Sequence, residues 1–389
     1  MPQKTKKIVV VTGTRSEYGI LKPLLKRIKK SRKLELSLLV TGMHLLWQFG
    51  YTANEIKADG FKISAKIPMY KGSLKNKDYH GVALGEAVVA FAKIFSKNKP
   101  DFLVVFGDRL ESLAAVLAAA NLGGIGIAHI HAGDKTDSGH IDEAIRSSIS
   151  RFSHIFFAPT NKCAERLVKM GENKWRVFNT GALGIDAIMQ AAKAKREDVC
   201  KNLKFNPKKE LAIFLFHPVS IEAEKTGKRA KVILSVLKEM SLQTVIIYPN
   251  NDAGAESIIS EINKFRKVEH FRFFPSISSE IYAAMLKNCN FIIGNSSSGI
   301  IEAPAFKVAT INVGSRNTGR EHAGNVLYVE ADPACIKGAI KKVLNDKNFI
   351  GKMKKAKNPW GRGGTSEKIV KILEDVKIDG KFIKKINNY

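Results

Sequence analysis

The chain has 389 residues, 44% of them hydrophobic and 26% charged, a globular balance with room for two domains that each bury a core. Thirty glycines and twelve prolines exclude a collagenous or low-complexity chain. No apolar run approaches the ~20 residues of a membrane span, and Met-Pro-Gln-Lys-Thr-Lys-Lys has no signal-peptide core, so the chain reads as soluble and cytoplasmic. The excess of Lys and Arg gives +28, but the lysines are scattered and are not interleaved with stacking aromatics. That pattern is a solvated surface whose field favours an anionic ligand such as a nucleotide, not a nucleic-acid groove. Cys163, Cys200, Cys289 and Cys335 form no CxxC pair, which leaves no zinc ribbon or redox motif.

In chain order, apolar runs alternate with amphipathic stretches. Strands are expected at 7–13, 34–42, 101–108, 125–134, 154–160 and 175–181, with helices at 18–30, 83–96 and 110–122 between them. The pattern pauses at the lysine-rich, helix-like stretch 188–203 and the loop FNPKKE, a candidate linker. A second series follows, with strands at 211–218, 244–250, 270–275, 290–299, 308–314 and 325–330, and helices at 230–240, 255–265 and 280–287. A last helix is expected over 366–376. The alternation predicts an α/β chain of two Rossmann-like, doubly wound domains, 1–187 and 188–365, with a C-terminal helix and tail at 366–389.

In such folds ligands bind beyond the carboxyl ends of the strands, and the chemically interesting residues fall there repeatedly. TGTRSEYG (12–19) offers a tight turn, Arg15 and a helix N-terminus, which suit an anion or simply make a capped turn. In FGDRLES (106–112), Asp108 is a helix cap or an active-site carboxylate. HIHAGDKTDSGHIDEAIR (129–146) packs three histidines and four acidic residues behind one strand. Asp142 and Arg146 share a helix face there, and an acid/base cluster explains the segment better than a metal site, for which no HExxH spacing exists. FHPVS places His217 at a strand end. GNSSSGIIEAPAFKVATINVGSRNTGRE (294–321) supplies Asn295, Ser296 and Ser297 at the opening of a helix, Glu302 for ribose hydroxyls, and Arg316 and Arg320. Of all the segments it best resembles a diphosphate cradle.

These motifs in this order, together with TGMHLLWQFG, resemble the UDP-N-acetylglucosamine 2-epimerases, and more closely their hydrolysing branch, which supplies sialic and legionaminic acid pathways. The resemblance runs from about Lys7 to beyond Glu321. It implies a GT-B fold with a cleft between the domains, UDP held mainly by the second domain, and a C-terminal helix that returns to the first. It also implies anti-elimination of UDP to a glycal, then hydration to the free C2-epimeric sugar. The non-hydrolysing epimerases and GT-B glycosyltransferases share the cradle and stand as alternatives. By resemblance Arg15 lies near the phosphates and His44 matches a histidine of the hydrolysing branch. Asp108 and Asp142 match the acidic residues of the site, and His217 its second-domain histidine. Ser296, Ser297, Glu302, Arg316 and Arg320 fall in the UDP segment. Many relatives carry glutamate where this chain has His131, so that role passes to His131 or to Asp134. No cofactor or metal, no nucleic acid and no membrane partner is implied, and relatives suggest a homo-oligomer, dimer or tetramer.

Overall fold

The computed structural model describes residues 5–71, 78–137, 141–219, 223–249, 254–275, 277–386 and 388. His140 and Ser220, members of two of the motifs, lie outside them, as does Asn250 at the end of an expected strand. The chain divides into two compact units: unit 1 is Met1–Asp134, Ile141–Ala187 and Gly363–Tyr389, and unit 2 is Lys135–His140 and Ile188–Arg362. The first long boundary falls inside the helix Leu183–Ala191, at the start of the expected linker.

Unit 1 holds β1 (Lys6–Thr12), β2 (Leu34–Thr41), β3 (Ile63–Ile67), β4 (Phe102–Phe106), β5 (Gly126–Ile130), β6 (Ile155–Ala158) and β7 (Val177–Asn179). They form one parallel sheet in the order β3-β2-β1-β4-β5-β6-β7. Alternate residues of β1 serve opposite faces. Ile8 and Val10 pack with Leu21, Leu24 and Leu25, while Val9 and Val11 pack with Phe91, Phe95 and Ala115. Both faces are covered, which is why these strands read as unbroken apolar runs.

The C-terminal segment completes unit 1. Helix Thr365–Asp375 sends Ile369 and Leu373 into the first of those clusters. Its N-terminus is held by buried Asp186, whose carboxylate accepts from the Thr365 N–H (3.0 Å), the Ser366 N–H (2.7 Å) and the Ser366 hydroxyl (2.6 Å). At its other end the Lys6 ammonium donates to the carbonyls of Leu373, Glu374 and Val376, the C-terminal groups that a helix leaves without intrahelical partners.

Unit 2 repeats the plan with β8 (Leu211–Leu215), β9 (Gln243–Ile247), β10 (Phe271–Phe274), β11 (Phe291–Gly294), β12 (Ala309–Val313) and β13 (Val326–Val329). The parallel order is β10-β9-β8-β11-β12-β13. In each sheet the strand order reverses beside the first strand, between β1 and β4 and between β8 and β11. The crevice outside those strand ends is where this fold class receives ligands. No helix among the described residues is long and apolar enough to cross a membrane.

Candidate active site

In unit 1 the chain leaves β1 through Gly13 and enters helix Arg15–Lys30, capped by the Thr14 hydroxyl. Arg15 pairs with Glu55 at 2.9 Å, both half-exposed. Glu17 turns inward and is almost fully buried, accepting the Gly13 N–H at 2.7 Å. Burial raises its carboxyl to about 7, against the pull of the Gly13 N–H and Arg109, with Glu111 adding to the rise.

The loop after β4 delivers Asp108 and Arg109, and the first turn of the helix that follows, Leu110–Leu122, delivers Glu111. Glu111 is 1% exposed and takes the Arg109 guanidinium (3.1 Å) and the Tyr70 hydroxyl (3.3 Å). A Cβ on Gly13 would stand 2.8 Å from this carboxylate group, and one on Gly42 would stand 2.5 Å away. Glycine at both strand ends is therefore what lets Glu111 tie the loops after β1, β2 and β4 together. His44 is expected beside substrate, but the structure gives it no exposed surface. Its ring nitrogens lie 3.2 Å from the Thr12 hydroxyl and 2.7 Å from the Thr52 hydroxyl, and burial lowers it to about 4. It is a neutral brace within unit 1.

At the end of β5 the polar segment folds around Arg146. This guanidinium, with only 5% of its side chain exposed, donates to the Asp134 carbonyl (3.2 Å), to the Glu143 carboxylate (2.8 Å) and to the Asp108 carboxylate. Glu143, at i, i+3 on the same helix, makes an ion pair with Arg146, and Asp142 lies half-buried next to it in sequence. Asp134 Oδ2 stands 3.3 Å from His131 Nε2, and the imidazole packs 5.6 Å from the Phe106 ring centre. His129 lies beneath, fully buried. Nε2 donates to the Gly107 carbonyl (2.7 Å), which leaves Nδ1 to accept from the Ser150 hydroxyl (3.0 Å), and burial lowers the ring to about 3. Asp108, His131, Asp134, Glu143 and Arg146 therefore form one cluster. Among the described residues no three His, Cys, Asp or Glu side chains converge as metal ligands would.

In unit 2 backbone and amide groups join the ends of β8 and β11. Gly294 has φ +146°, and a Cβ there would stand 2.0 Å from the Leu215 carbonyl oxygen, so no other residue fits. The Asn295 side chain, 2% exposed, accepts the His217 N–H (2.7 Å) and donates to the His217 carbonyl (2.8 Å). It thereby joins the ends of β8 and β11, where direct contact with ligand is expected of it. The Ser298 N–H donates to the Ser296 hydroxyl at 3.3 Å, and the Ser298 hydroxyl is bonded to Tyr282.

The helix expected after these serines is a single turn, Ser298–Ile301. Pro304 then sits in a 3-10 turn, Ala303–Phe306, whose backbone it suits better than a continuing α-helix. So short a helix brings little dipole, and an anion there depends on hydroxyls, N–H groups and arginines. Glu302, half-buried, follows the turn. The GSRNTGRE loop folds back onto β11. Arg316 donates to the Asn295 carbonyl (3.1 Å), Asn317 to the same carbonyl (2.9 Å) and to Asn312 (3.0 Å), and Arg320 to Asn317 (3.1 Å).

Two parallel α/β sheets, each carrying polar residues where its strand order reverses, are the architecture of the GT-B fold class. The model of the family "UDP-N-acetylglucosamine 2-epimerase" matches residues 26–374, and the chain belongs to this family. It is 34% identical over 386 residues to the "UDP-N,N'-diacetylbacillosamine 2-epimerase (hydrolyzing)" of Legionella pneumophila, covering 99% of this chain and 100% of that protein. It is 35% identical over 330 residues to the "GDP/UDP-N,N'-diacetylbacillosamine 2-epimerase (hydrolyzing)" of Campylobacter jejuni, covering 84% of each. The fold matches the crystal structure of the UDP-GlcNAc 2-epimerase of Neisseria meningitidis bound to UDP-GlcNAc with a TM-score of 0.80 at 20% identity, covering 94% of this chain and 99% of that one.

Proposed function

We propose that this chain is a hydrolysing 2-epimerase that converts a UDP-linked 2-acetamido sugar to UDP and the free C2-epimeric sugar. The two full- or near-full-length relatives above favour a 2,4-diacetamido substrate over N-acetylglucosamine. The observation that carries the reading is the gathering of Asp108, His131, Asp134 and Glu143 about the single guanidinium of Arg146 at the strand ends of unit 1. Transfer to an acceptor needs one base; inversion at carbon needs a proton removed and another returned, and this cluster has groups for both.

The C2 hydrogen beside an acetamido group is barely acidic, so elimination needs a positioned base and a stabilised leaving group. The C2–H electron pair becomes the C1=C2 bond, and the C1–O pair leaves on the β-phosphate oxygen of UDP. Water then supplies hydroxyl to C1 while a proton returns to C2 from the opposite face. Ser296, Ser297, Arg316 and Arg320 supply donors for the diphosphate, with Arg15 adding charge, and Glu302 accepts from ribose hydroxyls.

An NMR time course in D2O with the UDP-diacetamido sugar and, in parallel, UDP-N-acetylglucosamine tests this. Free epimerised sugar bearing deuterium at C2 is expected. An epimer still attached to UDP would place the chain with non-hydrolysing epimerases, and transfer to an acceptor without C2 exchange would make it a transferase. Asp142→Asn is expected to slow turnover with UDP affinity kept, and Glu302→Ala to weaken UDP binding.

A further inference from the structure

We propose that His131 is the base that takes the C2 proton and that Asp134 orients it; the proposal rests on the epimerase reading above. The backbone supplies the first observation. His131 has φ +63°, the left-handed region that glycine enters freely and a side-chain-bearing residue enters only at a cost. The imidazole occupies a position whose backbone favours glycine, at the strand end that carries the acidic cluster. Such strain gathers at functional sites.

The second observation is the company of the ring. Asp134 is 6% exposed, its Oδ2 is 3.3 Å from His131 Nε2, and its main-chain carbonyl is held by Arg146. A buried carboxylate beside Nε2 accepts the N–H there, so the proton sits on Nε2 and Nδ1 is the basic nitrogen. Phe106 flanks the ring and limits its rotation.

The third is the contrast with Asp108. That carboxylate is engaged by the Arg146 guanidinium, whereas the His131 ring has Asp134 as a polar neighbour. Imidazole is the side chain most often used for general base work. In the elimination step the C2 proton passes to His131 Nδ1, the C2–H pair forms the C1=C2 bond, and the C1–O pair departs on the β-phosphate. The imidazolium so formed faces Asp134.

The test uses the full chain and begins with UDP release by the wild type, so that failure of the epimerase reading shows first; no release from either sugar overturns both proposals. His131→Gly suits the left-handed backbone and is expected to keep the melting temperature and UDP affinity. It should lose about 10²-fold or more in UDP release and in C2 deuterium exchange, and free imidazole should restore part of both. His131→Asn, whose side chain also tolerates this backbone, should be as slow as His131→Gly, and His131→Glu should exceed it by returning a carboxylate base. Asp134→Asn should lower kcat with KM unchanged. Wild-type turnover by His131→Gly overturns the proposal. So does UDP release at the wild-type rate with accumulation of the glycal, which would put His131 after elimination.

Discussion

Around the ends of β1, β2, β4 and β5, unit 1 buries Glu17, Glu111, His44, His129 and Arg146, while around the ends of β8, β11 and β12 unit 2 buries Asn295, Asn312, Asn317 and Ser298. The two sheets share a topology, so the contrast is one of chemistry. Buried amides hold a shape at any pH, whereas the buried Glu17 carboxyl and the His44 and His129 rings have shifted affinities for protons. On the proposed reading, proton transfer belongs to the first set and nucleotide binding to the second.

The largest effect is expected where unit 2 depends on backbone shape. Gly294→Ala sets a Cβ against the Leu215 carbonyl at 2.0 Å with φ at +146°, and the neighbour is main chain that cannot swing aside. A loss on the order of 4 kcal/mol in urea unfolding, with UDP binding abolished, is expected. Gly13→Ala in unit 1 meets only the Glu111 side chain at 2.8 Å and should cost much less while disturbing turnover more than UDP affinity. Equal losses of stability would show that both strand ends are equally rigid.

Next comes the buried cation. Arg146→Met leaves Asp108 and Glu143 facing each other without their guanidinium and empties the donor to the Asp134 carbonyl. Breaking such a pair costs about 3 kcal/mol. Denaturant unfolding should read that loss, and turnover should collapse while UDP affinity measured by calorimetry survives. Loss of UDP affinity alone would reverse the assignment of the two units.

Acid should also act on unit 1. Burial lowers His44 and His154 to about 4 and His129 to about 3, with Arg176 and Lys385 adding to the effect at His154. Each ring is neutral in the fold and takes a proton near 6.5 once unfolded. The unfolded chain therefore binds more protons below that pH, and stability falls as pH drops from 6.5 towards 4. Each histidine contributes about 2 kcal/mol by pH 4.5. Glu17 has the opposite sign. Held at about 7 in the fold against 4.5 ordinarily, it stays protonated while the unfolded chain ionises, so it subtracts stability as pH rises from 4.5 to 7. Denaturant midpoints across pH 4.5–7.5 should show a net acid-side loss that His129→Gln reduces. Glu17→Gln should raise the midpoint at pH 7.5. A flat profile would remove the contrast between the two sets of buried groups.

How much of this was legible in the chain depends on how local the signal is. The buried strands announce themselves as β-branched runs because both faces of each sheet are covered. β3 (ISAKI) carries no such signal: it is an edge strand with alternate residues exposed and a lysine among them, and it lacks the unbroken apolar run of its neighbours. The helix that the serines open ends after one turn, with Pro304 six residues beyond its first residue, Ser298, and nothing in the serine run itself signals that stop. Asp108 and Arg146 stood out by motif. Glu111 did not, since its meaning lies in Gly13 and Gly42, far away in sequence, and Glu143 was overshadowed by its neighbour Asp142. His44 and Asn295 were legible as important, but the direction their side chains take is set by packing: inward onto Thr12 and Thr52, and onto the backbone of His217.

The smallest effect sharpens the comparison most finely. Tyr282 lies on the helix Ser279–Asn288, and its hydroxyl bonds the Ser298 hydroxyl at the start of the one-turn helix. Burial raises its phenol well above the usual range, with Glu302 adding to the rise, so the group stays neutral and can serve unit 2 only as a fixed hydroxyl. Tyr282→Phe keeps the ring and deletes that bond, which costs about 1 kcal/mol. The Ser298 carbonyl accepts the Glu302 N–H at 2.9 Å, so a loosened turn should reach Glu302 and the ribose it is proposed to hold. UDP affinity should therefore fall by no more than about tenfold, the equivalent of 1.4 kcal/mol, with kcat at saturating substrate unchanged. A fall in kcat at constant UDP affinity would mean that a neutral hydroxyl of unit 2 takes part in the chemical step, and the separation of proton transfer from nucleotide binding would be wrong.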